Sequence, residues 1–151
     1  MRRALLAALA GAAALAAAAP AGAEIVPQRS IAGVELLMTR AEVRAVLGEP
    51  REIERGTNPF GRYIIFKYRR LQVVFQGRTN VTAVRTNRRN ERTATGVGFG
   101  STRAEVRAGV AGVRCGRREC VKGRFLPGRR VTIFRLFRGK VAQTVVGFVI
   151  D

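Results

Sequence analysis

Six consecutive residues occur twice in this 151-residue chain. Thr39-Arg-Ala-Glu-Val-Arg44 returns unchanged as Thr102-Arg-Ala-Glu-Val-Arg107, an offset of 63 positions. A phrase repeated at one offset implies a duplicated unit, and duplication constrains the architecture more than any other property of the sequence. Each copy has the form Thr-x-x-Glu ahead of an apolar residue. That is a capping box: the Thr hydroxyl accepts from the amide three residues on, and the Glu carboxylate accepts from the Thr amide. Both copies therefore predict a helix start. The lead-ins agree, with Val34, Leu36 and Met38 before the first copy and Val97 and Phe99 before the second.

The apolar pattern fills in the rest. Val43, Val46 and Leu47 form one helical stripe that Gly48 and Pro50 end. The second helix carries Gly109 and Gly112 and is expected to be short. Residues 55–61 are dense in turn formers and read as a loop. Residues 63–68, 71–76 and 81–86 read as strands, as do 121–126, 131–137 and 141–150. Residues 87–95 are polar and read as a linker. The expected fold class is α+β: two tandem repeats, 24–90 and 91–151, each a short helical segment followed by a three- to four-stranded antiparallel sheet. Units of this size are marginal alone, so they are expected to share a core or a sheet.

Residues 1–23 read as a secretory signal peptide. Arg2 and Arg3 precede an apolar run from Ala4 to Ala19, and Pro20-Ala-Gly-Ala23 supplies a small-residue cleavage site. The apolar run is short for a membrane span. The expected location is secreted, or periplasmic in the cell envelope, with no transmembrane segment once the signal is removed. Cysteine usage agrees. The only two, Cys115 and Cys120, are expected to form a disulfide. With no His and no second Cys pair, no zinc set is expected.

Charge points to the class of partner. The chain has 28 basic and 10 acidic residues, a net charge of +18. Without Arg2 and Arg3 it has 26 basic residues against the same 10 acids, or +16. Such a surface attracts polyanions in a salt-dependent way. The expected partner is an extracellular or envelope protein with an acidic face; anionic cell-wall polymer or lipid head groups are the alternative. With no Trp and two Tyr there is no stacking platform, and specific nucleic-acid binding is not expected.

Catalytic chemistry is poorly supplied. No His is present for acid–base work. Glu49, Glu52 and Glu54 read as a solvated surface with local ion pairs. Gly96-Val-Gly-Phe-Gly100 lacks the Lys of a phosphate-binding loop, and Ser30 and Ser101 have no base partner. No catalytic residue, metal or cofactor is expected, and the chain reads as a non-enzymatic binding or scaffold protein.

The phrase Leu37-Met-Thr-Arg-Ala-Glu-Val43, its duplication and Cys115 after the second helix resemble the tandem-repeat β-lactamase inhibitory protein family. Leu47-Gly-Glu-Pro50 and Asn58-Pro-Phe-Gly61 resemble the small lipoprotein of the outer-membrane β-barrel assembly machine. The resemblance implies helix-plus-sheet units and a protein-binding role, including inhibition of an extracellular enzyme. The chain departs from the inhibitor pattern in lacking a Cys pair in its first unit and in having few aromatics. The candidate partner-binding set is Phe60, Arg62, Tyr63 and Phe134. Phe60 sits between Pro and Gly in a turn-rich segment. Tyr63 and Phe134 are placed on the outer strand face, opposite Ile64, Phe66, Leu71, Val73 and Phe75.

Overall fold

The computed structural model describes residues 24–77 and 79–150; the expected signal peptide lies outside the described residues. A small meander of β1 (Ile25–Val26), β2 (Ser30–Ile31) and β3 (Val34–Glu35) comes first, then helix α1 (Arg40–Leu47). Strands β4 (Glu52–Asn58), β5 (Gly61–Tyr68), β6 (Leu71–Gln76) and β7 (Ala83–Thr86) follow. Helix α2 (Arg103–Gly109) precedes β8 (Arg114–Cys115), β9 (Glu119–Lys122), β10 (Arg130–Phe137) and β11 (Lys140–Phe148).

Both helices begin at the repeated phrase. The Thr39 amide donates to Glu42 Oε2 at 2.7 Å, and the Glu42 amide donates to Thr39 Oγ1 at 3.3 Å. At Thr102 and Glu105 the same two bonds are 2.6 and 3.2 Å. Each helix then stops within about two turns. Gly48 ends α1 at φ 77°, a left-handed conformation that costs glycine little, and its amide caps Arg44 O at 2.8 Å.

The α+β expectation is corrected by this structure. The helices hold 8 and 7 residues, and the protein is mostly β. Among the described residues eleven strands form the three-stranded meander and one eight-stranded antiparallel sheet of order β4-β5-β6-β7-β11-β10-β9-β8. The strands after each helix do not make a sheet of their own. The reason is edge chemistry: an open β7 would present unpaired amides and carbonyls. β11 meets them, pairing Thr144 with Thr86 through Gly147 with Ala83. The turn-rich segment is also corrected. Residues 52–58 are strand β4, paired along its whole length with β5, which leaves only Pro59 and Phe60 as the turn. The 87–95 stretch is anchored at Glu91 and Thr93, which are buried, with Glu91 paired to Arg88 at 3.1 Å, while Arg89, Asn90, Arg92, Ala94 and Thr95 are exposed.

One ladder row fixes the faces. Tyr68, Leu71, Thr86, Thr144, Phe134, Cys120 and Cys115 are successive cross-strand partners and share a side. On that side Leu71, Phe66, Val73, Phe75, Val84 and Val146 pack with Val43 of α1 and with Ile25, Ile31 and Val34 of the meander. Phe134, Cys120 and Val141 pack with Val106 and Val110 around α2. Both helices and the small sheet thus cover one face. Cys115 and Cys120 sit opposite each other in this row, bonded, with Cα atoms 3.9 Å apart.

Candidate functional site

A groove runs where α1 meets the β4–β5 edge. Arg40 opens α1, Arg55 lies on β4 and Arg62 on β5, and all three line the groove with Phe60, Tyr63 and Phe75. Register explains the meeting, because Arg55 is opposite Ile64 and Thr57 opposite Arg62, on the helix-covered face beyond the end of α1. Arg40 is held by its aliphatic stem and by the Phe75 ring, 5.8 Å from the guanidinium carbon. Its Nε is withdrawn from solvent and makes no hydrogen bond. No acidic side chain is among the described residues lining the groove. Three cations with no counter-charge among the described residues therefore line one groove beside an exposed aromatic.

The lip of the groove is braced from below. Asn58 and Gln76 exchange side-chain amide hydrogen bonds of 2.9 and 3.1 Å, and the Phe60 amide donates to Asn58 Oδ1 at 2.9 Å. Gln76 is itself buried and bonds back to Gly61 O. This holds a two-residue turn in which the Phe60 ring is 51% exposed. Tyr63 lies on the opposite face of β5, and its ring covers Gly56 of the adjacent strand. A Cβ at Gly56 would overlap the Tyr63 hydroxyl and ring. The Tyr63 hydroxyl donates to Glu54 at 3.1 Å.

Among the described residues, no helix packs on that second face. One of its rows crosses all eight strands: Glu52, Lys67, Gln72, Arg85, Val145, Ile133, Val121 and Arg114. Its β4 edge is neutralised, since Lys67 Nζ contacts Glu52 at 2.7 Å and Glu54 at 2.8 Å. The Lys67 and Tyr63 hydrogen bonds hold the Glu54 carboxyl below the usual carboxylate range, and the same Glu54 bond raises the Tyr63 phenol. In the middle of the row stands Arg85, lowered by burial first and then by the like charge of Arg135.

Phe60, Arg62 and Tyr63 therefore come together at one edge. Phe134 does not join them, and its place in the candidate set is corrected. It is fully buried, because its row partners Thr144 and Cys120 carry it onto the helix-covered face. The misplacement has a local cause: β10 has Val131 and Ile133 on one side and Phe134 and Leu136 on the other, so alternation gives no side. Arg40 and Arg55 escaped the sequence reading. The signal for Arg40 was the repeated phrase itself, since Arg103 of the second copy also has a buried Nε without a partner. The acids do form local ion pairs, but Glu49 pairs with Arg44 and Glu52 and Glu54 with Lys67, not with Arg51 or Arg55. No protein family, curated protein or solved structure matches the chain.

Proposed function

We propose that the chain is an exported, non-enzymatic protein-binding module that holds an acidic partner. The observation that carries this reading is the groove: Arg40, Arg55 and Arg62 converge beside the exposed Phe60 with no lining acid. Carboxylates of a partner supply the missing counter-charge, and arginine forks bind them in bidentate geometry. Phe60 is the apolar anchor on the lip, the kind of residue around which interface energy concentrates. The adjacent sheet face, with Tyr63 at its rim, extends the contact toward the roughly 800 Å² per partner that a specific interface needs.

Affinity capture from the secreted fraction of the native organism at near-physiological salt tests the reading. An acidic protein retained by the wild type is expected to be lost from both Phe60→Ala and Arg62→Glu. Retention of the same protein by both variants overturns the assignment of this groove.

A further inference from the structure

The ladder row from Tyr68 to Cys115 also marks one end of the eight-stranded sheet, and that end is lined with arginine. The β5–β6 turn just past the row is Arg69-Arg70, and both side chains are exposed. The chain leaving β7 carries Arg88 and Arg89 there. The β8–β9 turn holds Arg117 and Arg118, again exposed. The β10–β11 turn adds Arg138, and β11 opens with Lys140. Four of the connections at this end are thus basic, and the fifth, from α1 to β4, carries Glu49 and Arg51. The acids near it are few and mostly engaged. Glu91 is buried against Arg88, Glu52 contacts Lys67 and Glu49 pairs with Arg44; Glu105, which caps Thr102, and Glu119, beside Arg135 in the ladder, have no ion-pair partner among the described residues.

The end is also shaped. β10 and β11 stay paired as far as Phe137 and Lys140, two residues past Arg135, the partner of the first β9 residue, and past Thr144, the partner of the last β7 residue. At a little over 3 Å per residue the tip of this hairpin stands about 7 Å beyond the β9 pairing. Its tip carries Phe137, the most exposed large apolar side chain described at 66%, with the Arg138 guanidinium 5.3 Å from its ring. Its anchor is firm, since the Leu136 amide donates to Arg118 O at 2.7 Å and the Arg103 amide to Gly139 O at 3.3 Å.

We propose that this arginine-lined end of the sheet docks on an anionic phospholipid surface, with Phe137 as its apolar anchor. One aromatic on a projecting tip, ringed by cations, matches the phosphate-over-acyl layering of a lipid interface, where apolar side chains enter by about 5–10 Å. A single ring offers no stacking track for nucleic acid. No described helix is long and apolar enough to cross a membrane, so the contact is with the surface. This end is separate from the Arg40–Arg62 groove, and either assignment stands or falls without the other.

Sedimentation of the purified protein with vesicles tests this. The vesicles are phosphatidylcholine with about 30 mol% phosphatidylglycerol, or phosphatidylcholine alone, at about 100 mM salt. Binding is expected to the anionic vesicles only. Loss of two surface arginines in R117Q/R118Q should weaken it roughly 25-fold, and Phe137→Ala about tenfold. R124Q/R129Q removes equal charge from exposed positions at the opposite end of the sheet and should change binding less than about threefold. All these side chains are exposed, and unchanged circular dichroism confirms that each variant folds. Absence of anionic-vesicle binding overturns the proposal, as does equal weakening by R124Q/R129Q. A soluble polyphosphate that displaces the vesicles fully, with Phe137→Ala without effect, overturns it in favour of a general polyanion site.

Discussion

Phe60 and Phe134 are the same side chain in opposite circumstances, and their replacement by alanine separates recognition from folding. Phe134 has no exposed surface and lies among Val106, Val110, Cys120 and Val141, with Leu136 and Val113 packed behind. Phe→Ala in a core costs about 3–5 kcal/mol, the sum of lost transfer energy and the cavity left behind. This cluster is small and lies toward one end of the sheet, where neighbours collapse partly into the gap, which places Phe134→Ala near the lower limit, at about 3 kcal/mol. For a domain of this size that corresponds to a fall in Tm of roughly 6–12 °C. Phe60 is half exposed on a braced turn, so Phe60→Ala should cost no more than about 0.5 kcal/mol. Urea denaturation followed by far-ultraviolet circular dichroism measures both. A Phe134→Ala loss below about 1 kcal/mol, or a Phe60→Ala loss as large as that of Phe134→Ala, refutes the division into core and lip.

Tyr63 and Tyr68, the only tyrosines, should both ionise above the ordinary value of about 10 in an ultraviolet titration at alkaline pH. A raised folded-state value favours the neutral phenol, so this stability is fully present below about pH 10 and is lost as pH rises through the folded-state value. Gly56→Ala, whose methyl displaces the Tyr63 ring from Glu54, should return one of the two tyrosines toward its ordinary value; a titration unchanged from wild type counts against the ring-over-glycine contact. Replacing Cys115 and Cys120 together by serine should cost about 2 kcal/mol, because the bond closes only a short loop, and the variant should still fold. A variant that fails to fold would show that the disulfide does more than close its own turn.

The helices were legible because their signal is local. Thr39 with Glu42, and Thr102 with Glu105, carry both halves of the capping bond within four residues, and the structure makes both. Strand β6 was legible for the same reason, since Leu71, Val73 and Phe75 alternate with Gln72 and Gln76. The single sheet was not. It depends on the β7–β11 pairing, whose partners lie some sixty residues apart, and no periodicity encodes which edge meets which. β4 was missed because Glu52-Ile-Glu-Arg-Gly-Thr-Asn58 has only Ile53 and Thr57 as strand formers; the long pairing with β5 overrides that composition, with Tyr63 lying across Gly56. Of the candidate site, the turn and charge signals found Phe60, Arg62 and Tyr63. Arg40 and Arg55 needed the register to bring a helix start and two strands to one edge.

The distribution of charge bears on what the fold is for. A net charge of +18 spread evenly would give only diffuse attraction to anions. Here the cations are sorted by topology. Glu52 and Glu54 on the edge strand β4 tie up Lys67 of β5, and Glu91 ties up Arg88 beside the sheet, which leaves the β4 edge of the second face nearly neutral. Arg40, Arg55 and Arg62 are collected in one groove and the arginines of the β5–β6, β8–β9 and β10–β11 turns at one end, while Arg124 and Arg129 of the β9–β10 connection lie at the other. In an antiparallel meander alternate turns fall at the same end, so basic residues placed at every second turn gather there without any long-range pairing having to specify it. The same sorting puts Phe60 and Phe137 beside uncompensated cations at opposite ends of the strands. An acidic protein and an anionic surface are then not rival readings of one excess charge. They require different residues, and a single chain can hold both at once.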